Sequence, residues 1–350
     1  MGSAVQTVDV LPQHTFDEAR LASYLAEQLP WLGGPLQVSQ FQGGQSNPTF
    51  LLTAGERQLV LRKKPPGKLL RGAHQVEREF RVMSALANTN VPVPEMYHLC
   101  EDEEIIGTPF FVMACVVGRV SAEPHLPDIA VSSRRPVWLA MAKVLADLHR
   151  VDWRDVGLEG FGKPDAYVER QLKTWTRQFE ATRTGDMPAM DNLIDALGRN
   201  LPEDEPATIV HGDFRPGNMI LAPDENEVSA VLDWELSTIG HPLADLGYFC
   251  MPYDVPAGEP GMKGVAGLDF RAEGLPERDE VIAAYATARG IDPPANLNFF
   301  TAFALFRLAA IVQGVYARAL QGNASHADAK NVGKRASFLA ECGWAVASRL

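Results

Sequence analysis

The hydrophobic pattern changes its period once along this chain, and that change constrains the fold more than any other feature. Between residues 36 and 118, apolar residues come in short runs broken by turn-forming residues. "LQVSQFQGGQSNPTFLLTAGERQLVLRKKP" reads as a strand, a Gly-rich turn, a second strand, a tight turn and a third strand. "HQVEREFRVMSAL" then takes helical spacing, with Val76, Phe80, Met83 and Leu86 on one side. "TPFFVMACVVGRV" reads as a fully buried strand that leaves into a connector at Gly118. From about residue 135 the spacing is helical, in "RPVWLAMAKVLADLHRVDW", "AYVERQLKTWTRQFEAT" and "DNLIDALGRNL". Two short apolar strands interrupt, in "TIVHGDF" and "VSAVLDWE", joined through the polar "APDENE". After residue 276 the helical pattern runs to the end. Residues 16–30 read as an opening helix before Gly33 and Gly34. The expectation is an α+β chain. A helical extension covers 1–35, a strand-rich first lobe 36–118, and a mostly helical second lobe 119–350.

At 350 residues the chain is long enough for two lobes or domains. Lys and Arg number 32 against 44 Asp and Glu, a formal net charge of −12. That argues against a general nucleic-acid binder, which needs a basic face, and leaves room for a local basic pocket around a small anion. The four cysteines, Cys100, Cys115, Cys250 and Cys342, form no CxxC pair, so reduced thiols in a cytosolic protein are expected. "MGSAVQTVDVLPQHTF" has no basic start followed by an apolar run, so no signal peptide is expected. The most apolar window, residues 299–320, is interrupted by Arg307, Gln313 and Arg318; a buried helix is expected there rather than a membrane span. The Gly- and Pro-rich segment 253–278 is expected to be a long loop near a site entrance.

The chemistry gathers around "IVHGDFRPGNMI". Asp213 follows an apolar strand and Asn218 comes five residues later, so one loop can carry both into a small space. An Asp can orient a hydroxyl and accept its proton, and an Asn oxygen can ligate Mg²⁺. The same letters could form an Asx-rich surface turn. Asp233, in "VLDWE", lies twenty residues after Asp213 on the next apolar strand. A hairpin of the two strands would bring Asp233 near Asn218 as a second metal ligand.

"IVHGDFRPGNMI…AVLDWELSTIGHPLADLGY" resembles the aminoglycoside phosphotransferase/choline kinase family, from about Phe41 to Arg318. "LVLRKKPPGKLLRGAHQVEREFRVMSAL" is similar to the branch that includes the kinase-like domain fused to some acyl-CoA dehydrogenases. The resemblance implies a two-lobed, protein-kinase-like fold. Its first lobe has an antiparallel sheet and one helix; its larger second lobe is helical. It implies an ATP- and Mg²⁺-dependent kinase acting on a hydroxyl of a small molecule. A hydroxyacyl thioester or related metabolite is the acceptor that branch favours, and an aminoglycoside is the alternative. A nucleotide-binding sensor without turnover is the alternative of another class. "HGD" rather than "HRD", and no "APE", argue against a protein kinase.

Carried over by residue, Asp213 is the catalytic base, Arg215 faces the γ-phosphate, and Asn218 and Asp233 hold Mg²⁺. His211 braces the loop from inside, and Asp245, in "HPLADLGY", anchors it. Gly43, Gly44, Gln45, Ser46 and Asn47 form the turn over the phosphates. A generic hairpin turn would use the same residues, and no GK[ST] follows. Strand alternation puts Val60 and Arg62 on one face and Lys63 on the other. The family's register gives Arg62 the usual Lys position, with Lys63 taking it only if the strand bulges. Glu79 is then the helix partner of Arg62, and Glu77 projects elsewhere. Ala114 and Val116 mark the backbone expected to meet adenine. Neither nucleic-acid nor membrane partners are expected.

Overall fold

The computed structural model describes residues 7–42, 47–65, 74–203, 205–223, 226–258, 263–295, 297–320 and 329–350. The chain forms two compact units. The first takes Met1–Val120, Val156–Leu158 and Met219–Ser237; the second takes the rest.

The first unit is built on a six-stranded antiparallel sheet: β1 (Thr7–Val8), β2 (Leu36–Phe41), β3 (Thr49–Ala54), β4 (Arg57–Lys63), β5 (Met96–Cys100) and β6 (Phe110–Ala114), in the order β1-β2-β3-β4-β6-β5. Among the described residues, helices α1 (Glu18–Gln28), α2 (Val76–Leu86) and α3 (Glu103–Ile106) join it. Asp17 caps α1 by accepting the Arg20 N–H at 2.9 Å. The sheet's period-two pattern gives it two different faces. One buries Phe50, Leu52, Leu61, Phe110 and Val112 in one core with Leu21 and Leu25 of α1. Each such side chain contributes about 1.5–3 kcal/mol of transfer free energy. The other face meets α2, where Phe80 and Phe111 rings lie 6.3 Å apart. Arg62 pairs with Phe111 across the ladder and shares that second face. Lys63 pairs with Phe110 on the α1 face. Its ammonium sits 4.9 Å from the Phe16 ring centroid, and burial pushes its pKa down. Strand β4 pairs without a bulge, so alternation alone separates the two cations.

The same unit contains the short hairpin of β8 (Met219–Leu221) and β9 (Val228–Val231). Leu221 N–H donates to the Arg119 carbonyl and Val231 N–H to the Pro92 carbonyl, each at 2.8 Å.

The second unit holds α4 (Val131–Arg150), α5 (Tyr167–Thr182), α6 (Pro188–Arg199), α7 (Pro242–Cys250), α8 (Phe270–Glu273), α9 (Arg278–Arg289), α10 (Leu297–Leu320) and α11 (Ala329–Ala347). It also holds the strand pair β7 (Thr208–Val210) and β10 (Thr238–Gly240). The expected hairpin between the "TIV" and "VSAV" strands is corrected here: β7 pairs with β10, and β9 pairs with β8. The three residues of β8 are too few to stand out as a strand in the sequence. Helix α10 is long and apolar enough to cross a membrane by length and composition, yet 67% of its most apolar window is buried. It packs on α5, α7 and α11. Its approach to α7 needs Gly247, where a Cβ would come within 2.5 Å of the Phe300 backbone. The 253–278 segment contains the single-turn helix α8, capped by Asp269.

Candidate active site

In the second unit, β7 ends at Val210 and the chain turns into the loop carrying Asp213. Gly212 takes φ 86°, a left-handed backbone that glycine adopts without strain. Asp245, on the first turns of α7 and 1% exposed, accepts the N–H groups of His211 at 2.6 Å and Gly212 at 2.8 Å. Burial alone would raise the Asp245 pKa; the His149 hydrogen bond and the Gly212 N–H outweigh it and hold the carboxyl below its ordinary range. His149 stands 3.4 Å from Asp245 through Nε2 and 2.8 Å from the Tyr285 hydroxyl through Nδ1. Burial lowers the His149 pKa, which favours the neutral ring. The loop is therefore tied to α4, α7 and α9 through one buried chain of polar groups. His211 is buried, and its Nδ1 accepts the Asp213 N–H at 3.1 Å.

The Asp213 carboxylate receives donors on both oxygens. Asn218 Nδ2 donates to Oδ2 at 2.7 Å and to the Asp213 carbonyl at 2.9 Å. Arg215 Nε lies 3.2 Å from both carboxylate oxygens. The Tyr248 hydroxyl donates to Oδ1 at 2.5 Å. Burial and the Asp213 charge push the Tyr248 pKa up, so the phenol stays a neutral donor. The sequence reading gave Tyr248 no role. Its signal was the spacing: Asp245 and Tyr248 are three residues apart on one helix, hence neighbours on one face. Arg307, on α10, donates to the Gly212 carbonyl and lies with its guanidinium 5.3 Å from the Tyr248 ring centroid.

In the first unit, Arg62 is the hub. Its Nε lies 3.2 Å from Glu79 Oε2 and its Nη2 donates to Asp233 Oδ1 at 2.7 Å. Burial works against the Arg62 charge, but Glu79 and Asp233 more than compensate and raise its pKa. Glu79 is 1% exposed and also accepts from Asn47 Nδ2 at 3.0 Å. Burial, with Asp233 and Glu235 nearby, outweighs Arg62 and pushes Glu79 up to about 7. Glu77 pairs instead with Lys64 at 2.9 Å. Asp233 takes the left-handed backbone, φ 64°, an uncommon and strained choice for a non-glycine residue. Glu235, two residues on, accepts the His74 N–H at 3.1 Å. Asn47 binds the ring of His74 at 3.1 Å through Oδ1, so it supports Glu79 and His74 together. Ala114 ends β6 with its N–H on the Glu95 carbonyl at 2.8 Å, and Val116 follows in the connector. Gly43, Gly44, Gln45 and Ser46 lie outside the described residues.

The structure thus brings together Arg62, Glu79, Asp233 and Asn47 in one unit, and Asp213, Arg215 and Asn218 in the other. The model of the phosphotransferase enzyme family matches residues 37–295. The chain belongs to that family. This phosphotransferase is 42% identical to a Ralstonia eutropha protein that carries a provisional aminoglycoside phosphotransferase name, with a TM-score of 0.87 over 96% of this chain and 99% of that one. Choline kinase from Cryptosporidium parvum shares the fold at TM-score 0.65 and 14% identity, over 93% and 95% of the two chains. Among curated proteins, mouse acyl-CoA dehydrogenase family member 10 is 47% identical over 90% of this phosphotransferase, and rat family member 11 is 43% identical over 98%. The chain spans less than half the length of these two, 30% and 45%. The mixed α/β fold with an antiparallel first sheet, the family and the branch all agree with the sequence reading.

Proposed function

We propose that this phosphotransferase moves the γ-phosphoryl group of ATP to a hydroxyl of a small metabolite, with Asp213 as the group that receives the hydroxyl proton. One observation carries this reading: Asp213 is a carboxylate fixed on both oxygens by Asn218, Arg215 and Tyr248 at the end of a strand braced by buried Asp245. Phosphoryl transfer asks for positioning and charge stabilisation more than covalent help, and such a loop supplies positioning. Arg215 would steady charge on the transferring group. Arg62 would hold nucleotide phosphates, with Glu79 orienting its guanidinium.

The donor set suits Mg²⁺. Asp233 gives one oxygen to Arg62, and its side chain is 35% exposed, so solvent reaches it. Glu79, Asp233 and Glu235 all act on Arg62, an electronegative setting that would also suit a cation. Mg²⁺ needs few protein ligands, because it keeps waters and phosphate oxygens as most of its shell. Asn218 directs Nδ2 to Asp213, which leaves its carbonyl oxygen as the ligand atom it would offer. Mg²⁺, when held, would neutralise phosphate charge and orient the transferring group.

For the acceptor we favour a hydroxyacyl thioester or a related hydroxylated acid, because the curated relatives are acyl-CoA dehydrogenase family members. Nucleotide binding without turnover is the second reading. Arg62 replaces the usual Lys and is engaged by two carboxylates at once. An ADP-release screen over hydroxyacyl thioesters, hydroxy acids, amino alcohols, sugars and aminoglycosides separates the two. Acceptor-dependent ADP release that Asp213→Asn lacks supports the kinase. Tight Mg·ATP binding with no release for any acceptor supports the sensor.

A further inference from the structure

From Phe303 to Val312 helix α10 reads FALFRLAAIV, and Arg307 is its one polar residue. A guanidinium on an apolar helix is costly unless something engages its charge. Arg307 gives one donor to the Gly212 carbonyl and sets its guanidinium carbon 5.3 Å from the Tyr248 ring centroid. Among the described residues no carboxylate forms an ion pair with it, in contrast to Arg62, Arg134, Arg183 and Arg278. Arg carries five N–H donors in a rigid fork, so most of the fork is uncommitted. The neighbouring acids do not use it. Asp245 is buried with its oxygens on loop amides and His149, and Asp213 is held by Asn218, Arg215 and Tyr248. The charge of Arg307 also acts on Tyr167 of α5, as does that of Arg170.

The fork lies within one aromatic side chain of Asp213, because the ring it covers is the one whose hydroxyl touches Oδ1. A molecule that presents a hydroxyl to Asp213 would bring Arg307 a group only a few carbons away. We propose that this group is the acyl oxygen of the acceptor: Arg307 binds the carboxylate or thioester carbonyl of a short hydroxyacyl substrate and so selects a hydroxylated acid over a neutral or cationic alcohol. A carboxylate matches the guanidinium fork with two parallel bonds, and a thioester carbonyl takes one. A polycationic aminoglycoside would meet like charge. The proposal rests on the kinase reading and narrows it.

The test measures kcat and KM for ADP release by the full chain with Mg·ATP. The acceptors are short 2-, 3- and 4-hydroxy acids, their coenzyme A thioesters, the matching diols without an acyl oxygen, and an aminoglycoside. Wild type, Arg307→Met and Arg307→Lys are compared, with Asp213→Asn as the inactive control. The expected result is at least a tenfold preference in kcat/KM for one acyl acceptor over its diol. Arg307→Met should abolish that preference mainly through KM, and Arg307→Lys should retain part of it. Preference for the free acid assigns the carboxylate as the bound group, and preference for the thioester assigns the carbonyl. The proposal is overturned if a diol or aminoglycoside is preferred, if Arg307→Met lowers every acceptor by one common factor, or if none of the panel is phosphorylated. Slow ATP hydrolysis that Asp213→Asn lacks would keep the kinase reading alive in that last case, and no ADP release at all would remove it. Should Arg307→Met fail to fold, inhibition of the wild type decides. Short carboxylates or acyl thioesters without a hydroxyl must compete with the acceptor at least tenfold better than alkyl alcohols.

Discussion

Asp245→Asn isolates the brace beneath the catalytic loop. The substitution keeps size and shape but exchanges one carboxylate oxygen for an NH₂ group and removes the charge. Asp245 now accepts two backbone N–H groups, from His211 at 2.6 Å and Gly212 at 2.8 Å, at a site 1% exposed. An amide oxygen can keep one of them; the other N–H then faces a donor. A buried donor left unsatisfied costs about 1–3 kcal/mol, and the surviving bond loses its charge assistance, about 1 kcal/mol more. With His149 also losing an anionic partner, the total is about 3–5 kcal/mol, a large share of the roughly 5–15 kcal/mol that separates folded from unfolded chains. Urea unfolding of wild type and variant at neutral pH measures this directly. Amide exchange at His211 and Gly212 shows whether the loss is local. Because the folded Asp245 pKa is depressed, its contribution is present above pH 3.8 and disappears as pH falls through the folded value, so the gap between the proteins should close in acid. A difference under about 1 kcal/mol at neutral pH, or unchanged exchange at both amides, would refute the argument that Asp245 organises the loop.

Other outcomes follow from the same geometry. Glu79 has the opposite sign: its pKa rises from 4.5 to about 7 on folding, so the fold binds the extra proton and loses stability as pH climbs through that window, by about 3 kcal/mol at most. Glu79→Gln should flatten the wild-type slope between pH 4.5 and 7 in nucleotide-free unfolding curves; parallel curves would count against the raised pKa. Arg62→Ala should raise the Michaelis constant for ATP at least tenfold, while Lys63→Met, altered on the α1 face, should change it less than twofold; the reverse order would reject the assignment of Arg62. Tyr248→Phe removes one donor from Asp213 and should lower kcat about tenfold, equivalent to about 1.4 kcal/mol, with ATP affinity unchanged. An unaltered kcat would leave Tyr248 a packing residue.

What could be read in the sequence was local and periodic. Alternation along β4 separated Arg62 from Lys63, whereas Glu79 was singled out by the family resemblance, and its burial on α2, with Glu77 turned to Lys64, is seen only in the fold. The strands from Leu36 to Lys63 followed from turn residues and short apolar runs. What escaped depended on pairing across the chain. β7 and β9 look like a hairpin in order, yet each finds another partner, because the three-residue β8 supplies the edge that β9 needs. The segment from Met219 to Ser237 joins the first unit, although everything around it in sequence belongs to the second. His149 drew no reading from the sequence; only the fold shows it between Asp245 and Tyr285. Arg307 registered as a break in an apolar window, and its meaning came from the Gly212 carbonyl and the Tyr248 ring, both far away in sequence.

The central claim is that Asp213 receives the acceptor's proton during phosphoryl transfer. It is tested most directly by Asp213→Asn, assayed for acceptor-dependent ADP release alongside calorimetric titration with Mg·ATP. The account predicts that transfer falls at least a thousandfold, about 4 kcal/mol in barrier, while the dissociation constant for Mg·ATP changes less than threefold. Transfer at the wild-type rate in a variant that binds Mg·ATP normally would contradict it.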